Sequence, residues 1–473
     1  MTLALRAWQS SCIGSAVKHY RDNRHFFCQA TPGAGKTLMA AELAKQLYQD
    51  NEIDLVLCFA PTIQVVDSFR MTLEAIIDAV FDGQLGSLGC VLTYQAMAHR
   101  DKRFWSLFNQ HRVLVIFDEI HHCASQEVLA GNVWGQQIAE RIQAKAKFTL
   151  ALSGTPWRTD QGLVALARYS VPEGEIVRDY VYGLEQAIED EVCRRPRIVL
   201  LDNECIERTQ VKRNEYSSEY FSSIRDLLIN SDTRYQQFLE QDKAIRKILE
   251  IANARLSVIR KEKPDAGGLV VASNVLHANQ IADILSQLGE ECTLVSYQNN
   301  RSQQEINSFR HGTSRWIVSV GMISEGTDIP RLQVCCYLSR VRTELYLRQV
   351  LGRILRRNNS IDELAWLYLY VEPKLEEFCY HIKNDLPDDH RVVSRLATSE
   401  MDISNGKLSG GQTLTQPSET QILLDSIEDA EAGLIQHAPQ LPTTINIHLS
   451  DAYRQRVLDL FLCSSNSLDN RAI

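Results

Sequence analysis

Short apolar runs alternate with segments of helical periodicity along most of this chain. Residues 26–29, 55–59, 91–93, 113–117 and 149–152 are dense in Val, Leu, Ile, Phe and Ala, and longer amphipathic stretches separate them. Strands that read as continuous hydrophobic runs are covered on both faces, as in parallel sheets with crossover helices. This first array extends to about residue 182. A second begins at 197–201, is interrupted, and resumes at 269, with strand candidates near 294–296, 317–320, 334–338 and 366–371. The pattern predicts an α/β protein with two such units. Between them, residues 214–263 contain no Pro or Gly and predict a mostly helical insertion packed on the second sheet. Residues 404–420, rich in Gly, Ser and Thr, read as a flexible linker. Residues 450–462 carry the pattern of an amphipathic helix. The expected organisation is a first unit over 1–190, a second unit over 191–375 that includes the insertion, and a C-terminal extension over 376–473.

Length and composition narrow the class. With 473 residues, 44% hydrophobic and 23% charged, the chain has enough apolar material for two or three cores. Its longest apolar runs, 113–117 and 269–272, are far shorter than the ~20 residues that span a bilayer. The opening MTLALRAWQS has no basic leader followed by an apolar segment, so a cytoplasmic protein without a membrane partner is expected. The twelve cysteines are scattered. Cys335 and Cys336 lie in one apolar strand candidate and point to opposite faces, so no zinc site is built there. A net charge of −9 at first disfavours nucleic acid as a partner. The distribution weakens that objection: residues 399–451 hold eight acids and one base, Lys407, and carry −7 of the −9.

Three pieces carry chemistry. ATPGAGKT, residues 30–37, follows a strand candidate and opens a helical pattern, the setting in which a glycine-rich loop presents backbone N–H groups to phosphate. Gly33 and Gly35 permit close backbone approach, Lys36 reaches the β and γ phosphates of ATP, and the Thr37 hydroxyl binds Mg²⁺. Ala30 stands where the strict phosphate-loop pattern has its first glycine. In the second piece, VLVIFDEIHH, an apolar strand ends in two carboxylates, so that Asp118 is placed for the Mg²⁺ shell and Glu119 for polarising the attacking water. The third, RQVLGRILRR over 348–357, sets Arg353 and Arg356 three apart, neighbours on a helix face. A guanidinium supplied across an interface neutralises charge that develops in phosphoryl transfer. Alone, this last piece reads equally as a basic solvated helix.

In this order, the pieces resemble the superfamily 2 DExD/H-box helicases over roughly residues 3–371. ATPGAGKT looks like motif I, DEIH (118–121) like motif II of the DExH type, SGTP (153–156) like motif III and QVLGRILR (349–356) like motif VI. Looser matches fill the gaps. LRAWQ resembles the element upstream of motif I, APTIQVVDSF motif Ia, LTYQAMA motif Ib, VVASNVLHANQIADIL motif IV and SVGMISEGTDIP motif V. The resemblance implies two tandem RecA-like domains with ATP and Mg²⁺ between them and a nucleic-acid strand across their top. It places Thr31, Pro32, Gly33, Ala34, Gly35, Lys36 and Thr37 around the phosphates and Gln9 on the adenine. It makes Arg353 and Arg356 arginine fingers, and has His121 and Gln349 couple the nucleotide state to closure. Ser153 and Thr155 would link the two sites, Asp328 would sit near the ribose or the domain contact, and Gly326 would permit tight backbone approach. Implied strand contacts are Pro61, Thr62, Thr93, Tyr94, Gln95, Ser273, Asn274 and Thr327. SGTPWR and EGTDIP are closer in style to DNA-repair and restriction-type motors than to RNA-type members, which favours DNA over RNA. An ATP-gated clamp, or a motor subunit whose acidic C-terminal region docks a protein partner, is the alternative reading.

Overall fold

The computed structural model describes residues 4–123, 138–154, 164–170, 176–212, 215–296, 301–321, 329–357, 364–384, 391–396 and 444–460. Its first unit contains β1 (His25–Ala30), β2 (Leu55–Ala60), β3 (Gly89–Thr93), β4 (Val113–Phe117) and β5 (Phe148–Ser153). A small ribbon, β6 (Arg168–Tyr169) and β7 (Ile176–Val177), precedes β8 (Tyr180–Tyr182). The sheet order is β3-β2-β4-β5-β1-β8, with every pair parallel. The buried strand β4 shows why its sequence is continuously apolar. Val113, Val115 and Phe117 pack with Trp105 and Phe108 of the helix Lys102–Gln110, while Leu114 and Ile116 join Met39 and Leu43 on the opposite face. Both faces are covered, so neither can be polar.

The second unit contains β9 (Arg195–Asn203), β10 (Ile206–Lys212), β11 (Glu215–Phe221), β12 (Gly267–Ala272), β13 (Cys292–Ser296), β14 (Trp316–Val320), β15 (Leu332–Leu338), β16 (Leu364–Tyr370), β17 (Arg391–Leu396), β18 (Thr444–Leu449) and β19 (Tyr453–Leu460). Its main sheet runs β13-β14-β12-β15-β16-β9-β19-β17. The first six strands are parallel; β19 and β17 close the edge antiparallel. A separate antiparallel sheet has the order β11-β10-β18. The helix Asp242–Glu262 packs on β15 and β16.

Two expectations change. The stretch 214–263 is helical over Ile224–Asn230, Tyr235–Leu239 and Asp242–Glu262, but it begins as the strand β11, paired along its length with β10. The predicted helix at 450–462 is instead strand β19, held between β9 and β17. Residues 453–460 are therefore part of the second unit's sheet rather than a tail beside it. The linker expected at 404–420 lies outside the described residues. Among the described residues, no helix is long and apolar enough to cross a membrane.

Candidate nucleotide cleft

In the first sheet β5 lies between β1 and β4, so the C-terminal tips of these three strands are adjacent. The phosphate-loop candidate leaves β1, the carboxylate pair leaves β4, and Ser153 ends β5. Gly33 and Gly35 have φ of +84° and +94°, a conformation costly for residues with a Cβ, and Gly35 caps the helix Lys36–Gln49. Loop amides and a helix N-terminus thus share one position.

Lys36 Nζ donates to Ala30 O at 3.0 Å and lies 3.3 Å from Glu119 Oε1. Glu119 itself adopts φ +50°, unusual for a residue with a side chain. Its Oε2 accepts from Gly154 N–H at 3.2 Å and lies 3.5 Å from His121 Nδ1, which is 2.9 Å from Ser153 Oγ. One polar chain, Lys36–Glu119–His121–Ser153, therefore joins all three strand tips. Burial works to raise the Glu119 carboxyl, but Lys36 and His121, with the Gly154 N–H, outweigh it and hold the group at about 2. From the N-terminal helix, Gln9 Nε2 donates to Gly35 O at 2.9 Å and Arg6 Nη1 to Ala34 O at 2.7 Å.

The second unit faces these groups. Gln349 and Arg353 lie on the helix Glu344–Ile354 and, with Arg356, line a cleft of about 330 Å³ opposite Lys36, Thr37, Asp118 and Glu119. The approach is close: a Cβ at Gly33 would sit 2.8 Å from Arg356 Cγ, and one at Gly352 would sit 2.6 Å from Pro32 Cβ. A larger hollow, about 400 Å³ and lined by Arg21, Arg24, Arg112 and Lys145, lies at the opposite end of the first sheet and contains none of the motif residues.

Residues 2–158 match the family of the Type III restriction enzyme res subunit. The uncharacterized protein Rv2917 of Mycobacterium tuberculosis (strain ATCC 25618 / H37Rv) is 30% identical over 386 residues, 78% of this chain and 62% of that protein. The chain thus matches less than two thirds of that relative's length. The DNA 3'-5' translocase XPB2 of Sulfurisphaera tokodaii is 24% identical over 383 residues, 76% of this chain and 80% of that protein. Among solved structures, the ATP-dependent Type ISP restriction-modification enzyme LlaBIII bound to DNA superimposes with a TM-score of 0.52 at 14% identity, covering 81% of this chain and 29% of that one. The chain carries, over residues 2–158, a domain of the superfamily 2 helicase type, and it resembles helicases over most of its length.

As in that superfamily, the two mainly parallel sheets are RecA-like units, and Lys36, Thr37, Asp118, Glu119, Gln349, Arg353 and Arg356 line the cleft between them. Arg356 departs from its expected place. The helix ends at Ile354, and Arg356 follows it, bridged to Cys193; helical spacing therefore does not bring the two arginines together, although both line the cleft. Pro61 also lines the cleft. Thr62 and Asn274 follow the tips of β2 and β12, Thr93 ends β3, and all three act as helix N-caps, accepting from Val65, His277 and Ala96 N–H respectively. Ser273 Oγ donates to Leu338 O at 2.8 Å, and Gln95 is exposed. Tyr94 is a correction: it is fully buried, and its hydroxyl donates to Asp118 O at 2.8 Å, so it supports the carboxylate pair and is withdrawn from any strand. Thr155, Gly326, Thr327 and Asp328 lie outside the described residues. Sequence reasoning missed the cleft roles of Arg6, Cys193 and Pro330. Arg6 was visible inside LRAWQ; Cys193, in the run CRRPR, had no local signal.

Proposed function

We propose that this chain is a superfamily 2 helicase that hydrolyses ATP in the inter-unit cleft and converts opening and closing into movement along, or unwinding of, nucleic acid, DNA in preference to RNA. The observation that carries the reading is the cleft itself, where Lys36, Thr37, Asp118 and Glu119 of one unit face Gln349, Arg353 and Arg356 of the other. The left-handed glycines at the helix start fit a phosphate chain, and Thr37 and Asp118 offer the hard oxygen donors that suit Mg²⁺. When bound, the ion would neutralise charge on the phosphates.

The chain's own groups supply the rest. Phosphates outcompete one carboxylate for Lys36, which frees Glu119 to orient the attacking water. Arg353 and Arg356 bring positive charge toward the transferred phosphoryl group, and a cleft complete only when both units meet couples hydrolysis to closure. The preference for DNA is supported by the resemblance to XPB2, named as a DNA translocase, and by the form of the SGTPWR and EGTDIP segments.

Steady-state ATP hydrolysis, measured without polymer and then with single-stranded, duplex and forked DNA and with RNA at two salt concentrations, tests this reading. Stimulation by DNA that vanishes in Lys36→Ala and Glu119→Gln is expected. Undiminished hydrolysis in both variants overturns the assigned chemistry. Stimulated hydrolysis with neither strand nor triplex displacement would replace the motor by an ATP-gated clamp.

A further inference from the structure

The segment connecting the two units grips the cleft from behind. Arg194, fully buried, donates from Nη1 to Leu332 O at 2.7 Å and to Ile354 O at 2.8 Å, and from Nη2 to Pro330 O at 2.8 Å. Its backbone N–H donates to Leu355 O at 2.8 Å. These carbonyls belong to segments that build the cleft wall. Pro330 lines the cleft, Ile354 ends the helix bearing Gln349 and Arg353, and Leu355 precedes Arg356. Carbonyls at a helix C-terminus lack intrahelical donors and carry the negative end of the helix dipole, so a cation is stabilising there. The adjacent Cys193 is bridged to Arg356, and its Sγ lies 3.8 Å from Pro32 O of the phosphate loop. Arg357 Nη1 reaches Glu191 O at 3.4 Å. The end of the arginine-bearing segment is thus registered on the connector, and the connector touches the loop it faces.

We propose that Arg194 is a positioning residue for ATP hydrolysis: it ties the end of the Glu344–Ile354 helix and Pro330 to the connector, so that Arg353 and Arg356 reach the phosphate loop as one unit. The inference rests on reading the cleft as the ATP site. Lysine cannot substitute, because its compact ammonium lacks the planar fork that reaches three carbonyls from two segments.

The test compares Arg194→Lys with Arg315→Lys in the full chain. Arg315 serves as a control because its guanidinium ties Asn253, Ser257 and Glu290 of the same unit and does not line the cleft. Polymer-stimulated kcat and KM for ATP are measured together with the thermal midpoint. Arg194→Lys is expected to lower kcat roughly ten- to hundredfold with KM within about threefold, because displacement of a charged group costs rate more than binding. Arg315→Lys should keep its kcat at a comparable loss of midpoint. Combining Arg353→Ala with Arg194→Lys should slow hydrolysis by less than the product of the two single losses, since Arg194 acts in part through Arg353. Wild-type kcat in Arg194→Lys, an equal loss in Arg315→Lys, or additive losses in the double variant overturns the proposal. If the lysine variant is not recovered folded, Arg194→Gln, which keeps two N–H donors without the charge, takes its place under the same criteria. A wild-type chain without Lys36-dependent hydrolysis instead overturns the reading of the site, before any variant is compared.

Discussion

At Gly33 two demands fall on one residue. Its φ of +84° is strained for any side chain, and an added Cβ would meet Arg356 Cγ at 2.8 Å, so the loop and the arginine stem both need the missing carbon. Gly33→Ala is expected to cut polymer-stimulated hydrolysis at least about tenfold while the circular dichroism of the chain is preserved, since displacing a catalytic group by an ångström has that scale of effect. Wild-type rates would mean that Arg356 works from a different position. The residues that sequence reasoning brought to the cleft were legible because Asp118 and Glu119 directly follow the apolar strand β4, while Lys36 and Thr37 open the helix that a short glycine-bearing loop joins to β1. Arg194 was illegible for the converse reason. Its partners lie at 330, 332 and 354, and nothing within CRRPR separates a buried carbonyl-binding arginine from a solvated one. Tyr94 misled because its neighbours Thr93 and Gln95 do reach the surface, while the tyrosine turns inward to Asp118.

Elements were read well where burial on both faces left no ambiguity, as in β4, and badly where one face is polar. The sequence YRQRVLDL of β19 fits a short amphipathic helix as readily as a strand; pairing with β9 and β17 decides it. EYSSEYF of β11 was hidden in a segment rich in helix formers for the same reason. One helix carries a titratable group with a measurable consequence. His277 sits in the first turn of Val275–Gln287, is 2% exposed, and accepts the Ser273 N–H on Nδ1 at 3.2 Å. Burial lowers its pKa from 6.5 to about 4. The folded state therefore binds the proton less readily than the unfolded state. Stability is full above pH 6.5, falls as the pH drops below it, and stops falling near pH 4. Linkage sets the loss at about 2 kcal/mol by pH 5. His277→Asn, which offers an acceptor that does not titrate, should flatten this decline, as checked by urea unfolding at pH 7 and pH 5. An equally steep decline in the variant would assign the acid sensitivity elsewhere.

For the whole molecule, the contact between units is as restrictive as any core. Gly352 lies inside the helix Glu344–Ile354, where alanine would be the better helix former by up to about 1 kcal/mol. Its Cβ, however, would come within 2.6 Å of Pro32 Cβ across the cleft. Gly352→Ala should therefore leave the thermal midpoint unchanged or raised while hydrolysis falls; retained activity would show that the units need not approach so closely. The division into two α/β units was legible, but the completion of the second was not, because β19 returns to pair with a strand far earlier in the chain. Strand β9 ends at Asn203, and its antiparallel neighbour begins at Tyr453. At roughly 5–20 residues per second, a ribosome needs roughly 12 to 50 seconds to travel between them. Throughout that interval β9 presents an unpaired edge, the kind of template on which another chain can add a strand. The first unit can fold while the second is still being made, so the time of greatest exposure to misassembly in this protein's life comes during its own synthesis, before it can close on a nucleotide.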